Sequence, residues 1–312
     1  MEFRQLRYFV AIAEHGAFSK AAEKVFVAQS ALSHQLALLE DELGVRLLHR
    51  TRRGVELTDP GRIFLAHATS ILRQAEDAKS SVLSLAGALS GKVVFGMPHS
   101  VSNALALPLL QAVRQQYPKI ELELTEELTG NLVPQLRTGQ LNLAILCDDG
   151  CLAEFAHTRI VTERLCLIGK VAPMQRGTAK SISLKKALAL PLILPADPHG
   201  VRPIIDAAAR REGYGLPNVV ADISSISILR TSLLAGLGQT LLPVMPLQQD
   251  IAAGLLRATP ITSPPLSRVV AICTSKHIPV SSAAAAVSTL TIELVKTLCR
   301  DGDWLDATPI AP

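Results

Sequence analysis

The chain lacks most of the signatures that would mark an enzyme, a secreted scaffold or a membrane protein. Its five cysteines (Cys147, Cys151, Cys166, Cys273 and Cys299) form an odd, scattered set without a Cys-x-x-Cys pair. Neither a disulfide framework nor a zinc site is signalled, and buried free thiols are expected. No uninterrupted apolar run reaches the roughly 18 residues that span a bilayer. The start, Met1-Glu2-Phe3-Arg4, continues into a charged amphipathic helix rather than an apolar secretory core. A cytoplasmic protein without a membrane partner is the expectation. Gly-x-Ser-x-Gly and His-Glu-x-x-His do not occur in the sequence. Gly87-Ala-Leu-Ser-Gly91-Lys92-Val93 misses a P-loop by one residue and has valine where magnesium needs a hydroxyl. Cys147, Cys151 and His157 lie close together without a recognisable ligand spacing. No catalytic activity, metal or cofactor is expected.

What is present is more specific. At 312 residues, 48% of them hydrophobic and 19% charged, the chain is long enough for two or three domains with real cores. Its net charge of +4 is mild, but the distribution is informative. Arg46, His49, Arg50, Arg52 and Arg53 share one stretch, and no acidic residue lies between Leu43 and Val55.

Leu6, Phe9, Val10 and Ala13 repeat at i, i+3, i+4 and i+7, which predicts a first helix with one buried stripe, ending near His15-Gly16. Ser19 is the expected N-cap of a second short helix through Val25. After the Phe26-Val27-Ala28 turn a third helix runs to about Leu43, with Leu32, Leu36, Leu39 and Leu43 toward the core and Ser30, Ser33, His34, Ala37 and Asp41 opposite. Small polar side chains at its N-terminal end suit base edges in a major groove. Glu40, Asp41 and Glu42 would repel phosphates, so only the N-terminal half is expected to read DNA. The Arg52-Arg53-Gly54 turn then joins two short strands as a basic wing, whose arginines suit phosphate or a narrow minor groove.

Thr58 is the expected cap of a long helix, with an apolar stripe of Ile63, Ala66, Ile71, Leu72, Ala75, Ala78, Val82, Leu85 and Leu89 over roughly 30 residues, or about 45 Å. Such a helix between two domains suits self-pairing. Beyond the linker Leu89-Ser-Gly-Lys92 the pattern alternates strands and helices. Strands are expected at 92–96, 120–124, 141–146, 165–169, 190–194, 219–223, 240–242 and 269–273, with helices at 103–116 and 131–138, as in two small α/β lobes with parallel βαβαβ wiring. A closing helix at about 282–298 returns to the first lobe, and residues 301–312 read as a loose tail.

These residues resemble the LysR-type transcriptional regulators. The stretches that carry the likeness are Leu6-Arg-Tyr-Phe, Ser19-Lys-Ala-Ala, Gln29-Ser-Ala-Leu-Ser-His-Gln-Leu, Leu38-Leu-Glu-Asp-Glu-Leu-Gly and Arg50-Thr-Arg-Arg-Gly-Val-Glu-Leu-Thr-Asp-Pro-Gly. The Ala28-Gln29 turn and the Thr51-to-Val55 wing look most like the nitrogen assimilation control branch. The resemblance implies a winged helix-turn-helix domain over residues 1–58, a linker and dimerisation helix over 59–91, and an effector domain over 92–300. That last domain is a two-lobed α/β fold similar to periplasmic binding proteins, with lobe I at about 92–163 and 268–300 and lobe II at about 164–267. It further implies a homotetramer, as a dimer of dimers on double-stranded promoter DNA, and leaves room for contact with RNA polymerase. By resemblance Gln29, Ser30, Ser33, His34 and Gln35 face the groove, while Arg50, Thr51, Arg52 and Arg53 contact the backbone or minor groove. Ser30 stands where the family usually has proline, and Ala28 where a capping hydroxyl is common, a loss that typically costs about 0.5–2 kcal/mol.

In open α/β sheets ligands collect at the carboxyl ends of strands. That rule selects His99, Ser100, Ser102 and Asn103; Thr129, Gly130 and Asn131; Cys147; Gly200, Val201 and Arg202; and Ser224, Ser225 and Ser227. From these, Ser100, Ser102, Asn103, Thr129, Cys147, Val201, Arg202 and Ser227 form the candidate effector set. Hydroxyls and amides at helix starts suit an anion, and Arg202 a carboxylate. The plainer alternative is that Ser100, Asn103 and Ser227 cap helices and Arg202 is solvated. The function implied is DNA-binding regulation modulated by a small, anionic metabolite. The alternatives are a regulator that needs no effector and a small-molecule binding or transport protein.

Overall fold

The structure, a computed structural model, describes residues 1–51, 54–84, 89–171, 180–196 and 200–310. The chain divides into two compact units, one holding every element before the first strand of the α/β region and one holding the rest.

The N-terminal unit consists of α1 (Phe3–His15), α2 (Phe18–Lys24), α3 (Gln29–Leu43), the hairpin β1 (Leu48–Thr51) and β2 (Gly54–Leu57), and α4 (Asp59–Ser84). Gly16 closes α1 in the left-handed region at φ 64°, where glycine carries no Cβ penalty. The buried stripe of α1 is Leu6, Phe9, Ala11 and Ile12, so Val10 and Ala13 are only half-buried. Ser19 does not cap α2. The helix begins two residues earlier than expected because the Phe18 ring turns into the core, making Ala17 the N-cap and leaving Ser19 exposed in the first turn. Leu32, Leu36 and Leu39 of α3 are buried, whereas Leu43 is 37% exposed where the helix runs past the core.

The wing is held by close backbone packing. Val55 N donates to Gly16 O at 2.8 Å, and a Cβ on Gly54, at φ 133°, would stand 2.4 Å from that same oxygen. Thr58 Oγ1 accepts from Gly61 N at 2.9 Å, capping α4 as the sequence predicts. Gly61 itself is needed for contact, since a Cβ there would lie 2.0 Å from Leu47 O. The first turns of α4 pack Phe64, Leu65, Ala68, Ile71 and Leu72 on the N-terminal core, with Phe64 edge-on to Phe9 at 5.2 Å. Elsewhere on the expected stripe Ile63 and Val82 are 66% and 69% exposed, Ala66 and Ala75 are half-buried, and Leu85 lies outside the described residues.

The larger unit contains β3 (Gly91–Met97), α5 (His99–Gln116), β4 (Ile120–Glu126), α6 (Thr129–Arg137), β5 (Leu143–Cys147), β6 (Ala156–Arg164), β7 (Cys166–Lys170), β8 (Ile182–Ser183), α7 (Leu184–Leu188), β9 (Leu192–Leu194), α8 (Arg202–Arg211), β10 (Val219–Asp222), α9 (Ile226–Ala235), β11 (Thr240–Leu242), α10 (Gln248–Ala252), β12 (Leu256–Ser263), β13 (Ser267–Thr274), α11 (Ser282–Asp301) and β14 (Ala307–Pro309). One lobe is a six-stranded sheet of order β14-β6-β13-β5-β3-β4. β3 is parallel to β4 and β5, while β13 is antiparallel to both β5 and β6. The second lobe combines a four-stranded sheet, β11-β7-β12-β8, with the parallel pair β9 and β10. The chain passes between lobes twice, from β6 to β7 and from β12 to β13.

Each lobe has its own core. α11 is long and apolar enough to cross a membrane by length and composition, but Ala283, Ala284, Val287 and Val295 are buried in the first lobe. The segment after it is not loose. Trp304 is 1% exposed, and β14 adds to the edge of β6. An indole with a buried polar partner anchors what the polar composition alone reads as a tail.

Candidate functional site

The N-terminal end of α3 presents Gln29, Ser30 and His34 to solvent, with Ser33 and Gln35 half-buried. Ala28 is the N-cap, in extended geometry, and no side chain caps the helix. The first-turn amides therefore remain available to a phosphate oxygen at the positive end of the helix. Arg50 is exposed on β1, with its guanidinium carbon 4.6 Å from the centre of the Phe18 ring. That stacking orients the wing cation while leaving its donors free to face an anion. Thr51 Oγ1 donates to Gly54 O at 3.3 Å within the hairpin. Arg52 and Arg53 lie outside the described residues.

Glu40 differs from the expectation that it repels phosphate. Its side chain is 6% exposed. Oε1 accepts from Leu47 N at 2.8 Å and Leu48 N at 3.2 Å, and Oε2 accepts from Arg46 Nη1 at 2.7 Å. It is a clamp between the end of α3 and the start of the wing. Only Asp41 and Glu42 stay on the surface, Glu42 paired with the N-terminal ammonium at 2.6 Å.

In the larger unit a cavity of about 300 Å³ opens between the lobes. The starts of α5 and α6 line it from one side and the starts of α8 and α9 from the other, so positive helix ends converge on one space. Ser100, Thr129, Val201 and Ser227 line it, together with His99, Gly200, Ser224 and Ser225. Ser225, not Ser227, caps α9, accepting from Ile228 N at 3.5 Å. Ser102, Asn103, Cys147 and Arg202 do not line the cavity. The Ser102 hydroxyl is held by Glu126 and by His99 O, and Asn103 Nδ2 donates to His99 O at 2.7 Å. Arg202, expected as a partner for a carboxylate, is paired within lobe II with Asp206 at 3.0 Å and Asp222 at 3.1 Å.

The decisive residues at the cleft floor are ones that sequence patterning does not single out. Arg268 lines the cavity with its side chain only 3% exposed, and Glu163 beside it is 1% exposed. Arg268 Nε donates to Glu163 Oε2 at 2.7 Å, Nη2 donates to Ser100 Oγ at 2.6 Å, and Trp304 Nε1 donates to Glu163 Oε1 at 3.0 Å. Burial opposes the charge on Arg268, yet the neighbouring Cys147 and Glu163 outweigh it and raise its pKa. Thr129 Oγ1 is buried without a hydrogen bond of full geometry, although it lies near enough to the Cys147 thiol to favour the thiolate slightly. Thr129 itself lines the cavity, and a buried hydroxyl left without a full hydrogen bond is a candidate donor to a ligand there. On the rim, Glu126 contacts His99, and Glu127 accepts from Asn131 Nδ2 at 2.9 Å.

Residues 3–62 match the family described as bacterial regulatory helix-turn-helix protein, lysR family, and residues 86–295 match the LysR substrate binding domain. The chain belongs to the LysR family. It is similar to the nitrogen assimilation regulatory protein nac of Escherichia coli K12, with 33% identity over 298 residues, covering 95% of this chain and 96% of that one. Among solved structures, a full-length OxyR variant from Pseudomonas aeruginosa superposes with a TM-score of 0.71 at 25% identity, covering 100% and 99% of the two chains. CbnR complexed with its target DNA shares the fold, with a TM-score of 0.68 at 22% identity, covering 95% of this chain and 100% of that one. This LysR-family chain is a DNA-binding transcriptional regulator with an effector-binding domain.

Its thiols are held in their neutral form. Burial raises Cys166 and Cys299 to about 11 and Cys273 to about 12, and pushes Cys151 and Cys147 up as well, the last against the pull of Arg268. A thiol near 11 has a thiolate fraction about 100-fold below that of an ordinary cysteine near 9. Iodoacetamide at neutral pH should therefore leave the native chain unlabelled by mass spectrometry, while the denatured chain takes up five labels. Because the folded pKa values lie above the unfolded ones, this contribution to stability is complete below about pH 9 and is lost as pH rises through about 11.

Proposed function

We propose that the regulator is switched by a small carboxylate-bearing metabolite held between its two lobes. The observation that carries this reading is the buried Thr129 hydroxyl, without a full hydrogen bond, beside the Arg268–Ser100 pair on the same cavity. Hydroxyl donors and helix starts receive the carboxylate of the ligand. Glu126 and Glu127 on the rim favour hydroxyl or ammonium donors at its other end. The Arg268 charge is already matched by Glu163, so orientation rather than bulk attraction supplies specificity.

Calorimetry of the full chain against a panel of hydroxy and amino acids tests the proposal. Thr129→Val removes no complete hydrogen bond, so stability should change by less than about 1 kcal/mol. Ligand affinity should fall at least about tenfold. A ligand that binds the variant as tightly as the wild type would move the site elsewhere, and a panel without any binder would favour a regulator that needs no effector.

On DNA, the reading assigns sequence choice to Gln29, Ser30, Ser33, His34 and Gln35 and phosphate contact to Arg50 and Thr51, with Arg52 and Arg53 beside them by sequence. Arg50→Ala should weaken binding to all duplexes and reduce the salt slope by about one charge, whereas His34→Ala should alter sequence preference at an unchanged slope. Gel shifts with the DNA upstream of its own gene, repeated across salt concentrations, separate the two outcomes. The working form is a dimer of dimers in the cytoplasm, acting on promoter DNA within reach of RNA polymerase. The exposed Ile63 and Val82 on the apolar stripe of α4 support self-pairing.

A further inference from the structure

We propose that lobe II carries a second anion site, distinct from the interlobe cleft, for a small, multiply charged phosphate compound. A cavity of about 440 Å³, lined by Lys170 at the end of β7, Lys186 on α7 and Arg257 on β12, shares no lining residue with the cleft. Ser181, Ser183 and Thr259 add hydroxyls, and among the described residues that line it there is no carboxylate.

The sheet builds this hollow. Arg257 pairs with Gly169 and Thr259 with Leu167 across β12 and β7, so each pair projects to one face. Gly169 offers no side chain there, and Gln239 fills part of the space; a Cβ on Gly169 would lie 2.7 Å from Gln239 Cγ. A gap beside the half-buried Arg257 remains, and Lys170 and Lys186 border it.

The local charge is one-sided. Between Glu163 and Asp197 the sequence has no acidic residue, while Arg164, Lys170, Arg176, Lys180, Lys185 and Lys186 fall in that interval. Among the described residues, none of Lys170, Lys186 and Arg257 has an ion-pair partner. Three like charges around one concavity repel one another, and a dianion or trianion relieves that repulsion while the hydroxyls complete its coordination. Two ammonium groups and one guanidinium match the several equivalent oxygens of a phosphate group better than the single plane of one carboxylate.

The test is calorimetric titration of the full chain with pyrophosphate at fixed ionic strength, with citrate as the carboxylate comparison. Wild type should bind pyrophosphate more tightly than citrate. Lys186→Gln/Arg257→Gln should weaken pyrophosphate binding at least tenfold while Thr129→Val leaves it unchanged, and duplex DNA should not displace it. Thermal unfolding verifies that the double variant is folded; if it is not, Lys170→Gln on the exposed rim takes its place, with a several-fold loss expected. The proposal is overturned by no binding, by undiminished binding in the lobe II variants, by citrate binding as well as pyrophosphate, by displacement with duplex DNA, or by loss in Thr129→Val.

Discussion

Arg268→Leu should lower the stability of the effector domain by about 3–5 kcal/mol, the cost of leaving one member of a buried ion pair without its partner. Glu163 would keep the Trp304 indole but lose both guanidinium contacts, at 2.7 and 2.6 Å, in a site where its side chain is 1% exposed. Ser100 would lose its donor as well. The consequence extends beyond stability, because Trp304 precedes β14, and that strand closes the sheet edge on β6. Denaturant unfolding followed by tryptophan fluorescence is a direct readout, since Trp304 is the only tryptophan in the chain. Adding Glu163→Leu to Arg268→Leu should recover much of the lost stability, because two apolar residues replace a desolvated pair. Ligand binding in the cleft should not return. An additive loss in the double variant would show that the two residues do not act as a pair.

Glu40→Ala should destabilise the N-terminal unit by about 2–4 kcal/mol, the sum expected for two buried amides deprived of their acceptor. Leu47 N and Leu48 N both depend on this carboxylate, and Leu47 O in turn accepts from Thr58 N at 3.0 Å at the start of α4. Removing Glu40 therefore loosens the wing at its root. Hydrogen exchange at Leu47 and Leu48 should accelerate, and DNA affinity should fall for every sequence with a shallower salt dependence, because Arg50 loses its fixed position over Phe18. Glu40→Gln retains a neutral acceptor and gives up only the ion pair with Arg46. Because that arginine is 77% exposed, the loss should be within about 1 kcal/mol. Equal stability of Glu40→Ala and wild type would reduce the clamp to an incidental contact.

The DNA-binding half is legible in the sequence because its signals are local. Leu6 and Phe9 mark a helix face, Gly16 and Gly44 end helices in the left-handed region, and the Thr58 hydroxyl reaches an amide three residues on. The parallel strands are equally plain, β3 and β5 as largely apolar runs and β4 as an alternation of apolar residues with glutamates. β6 and β12 are not. In β6 the first four residues are exposed and Glu163 is buried, so neither period of a strand stands out. β12 contains Pro260, which argues against a strand interior but lies opposite Cys166, the first residue of β7, where one missing amide disrupts little.

By itself the sequence determined the helices and wing of the N-terminal unit, the parallel strands β3, β4 and β5, and the family, since these depend on residues close together along the chain. Only the tertiary structure decided which charges leave water. Glu40 reads as a surface acid and is a buried clamp, Arg202 reads as a ligand partner and is locked by two aspartates, and Arg268 reads as one more strand arginine and forms the cleft floor. Glu163 meets Arg268 across 105 positions and Trp304 across 141. Desolvation and pairing over such separations are fixed by how the chain crosses between lobes, and no local pattern encodes that crossing.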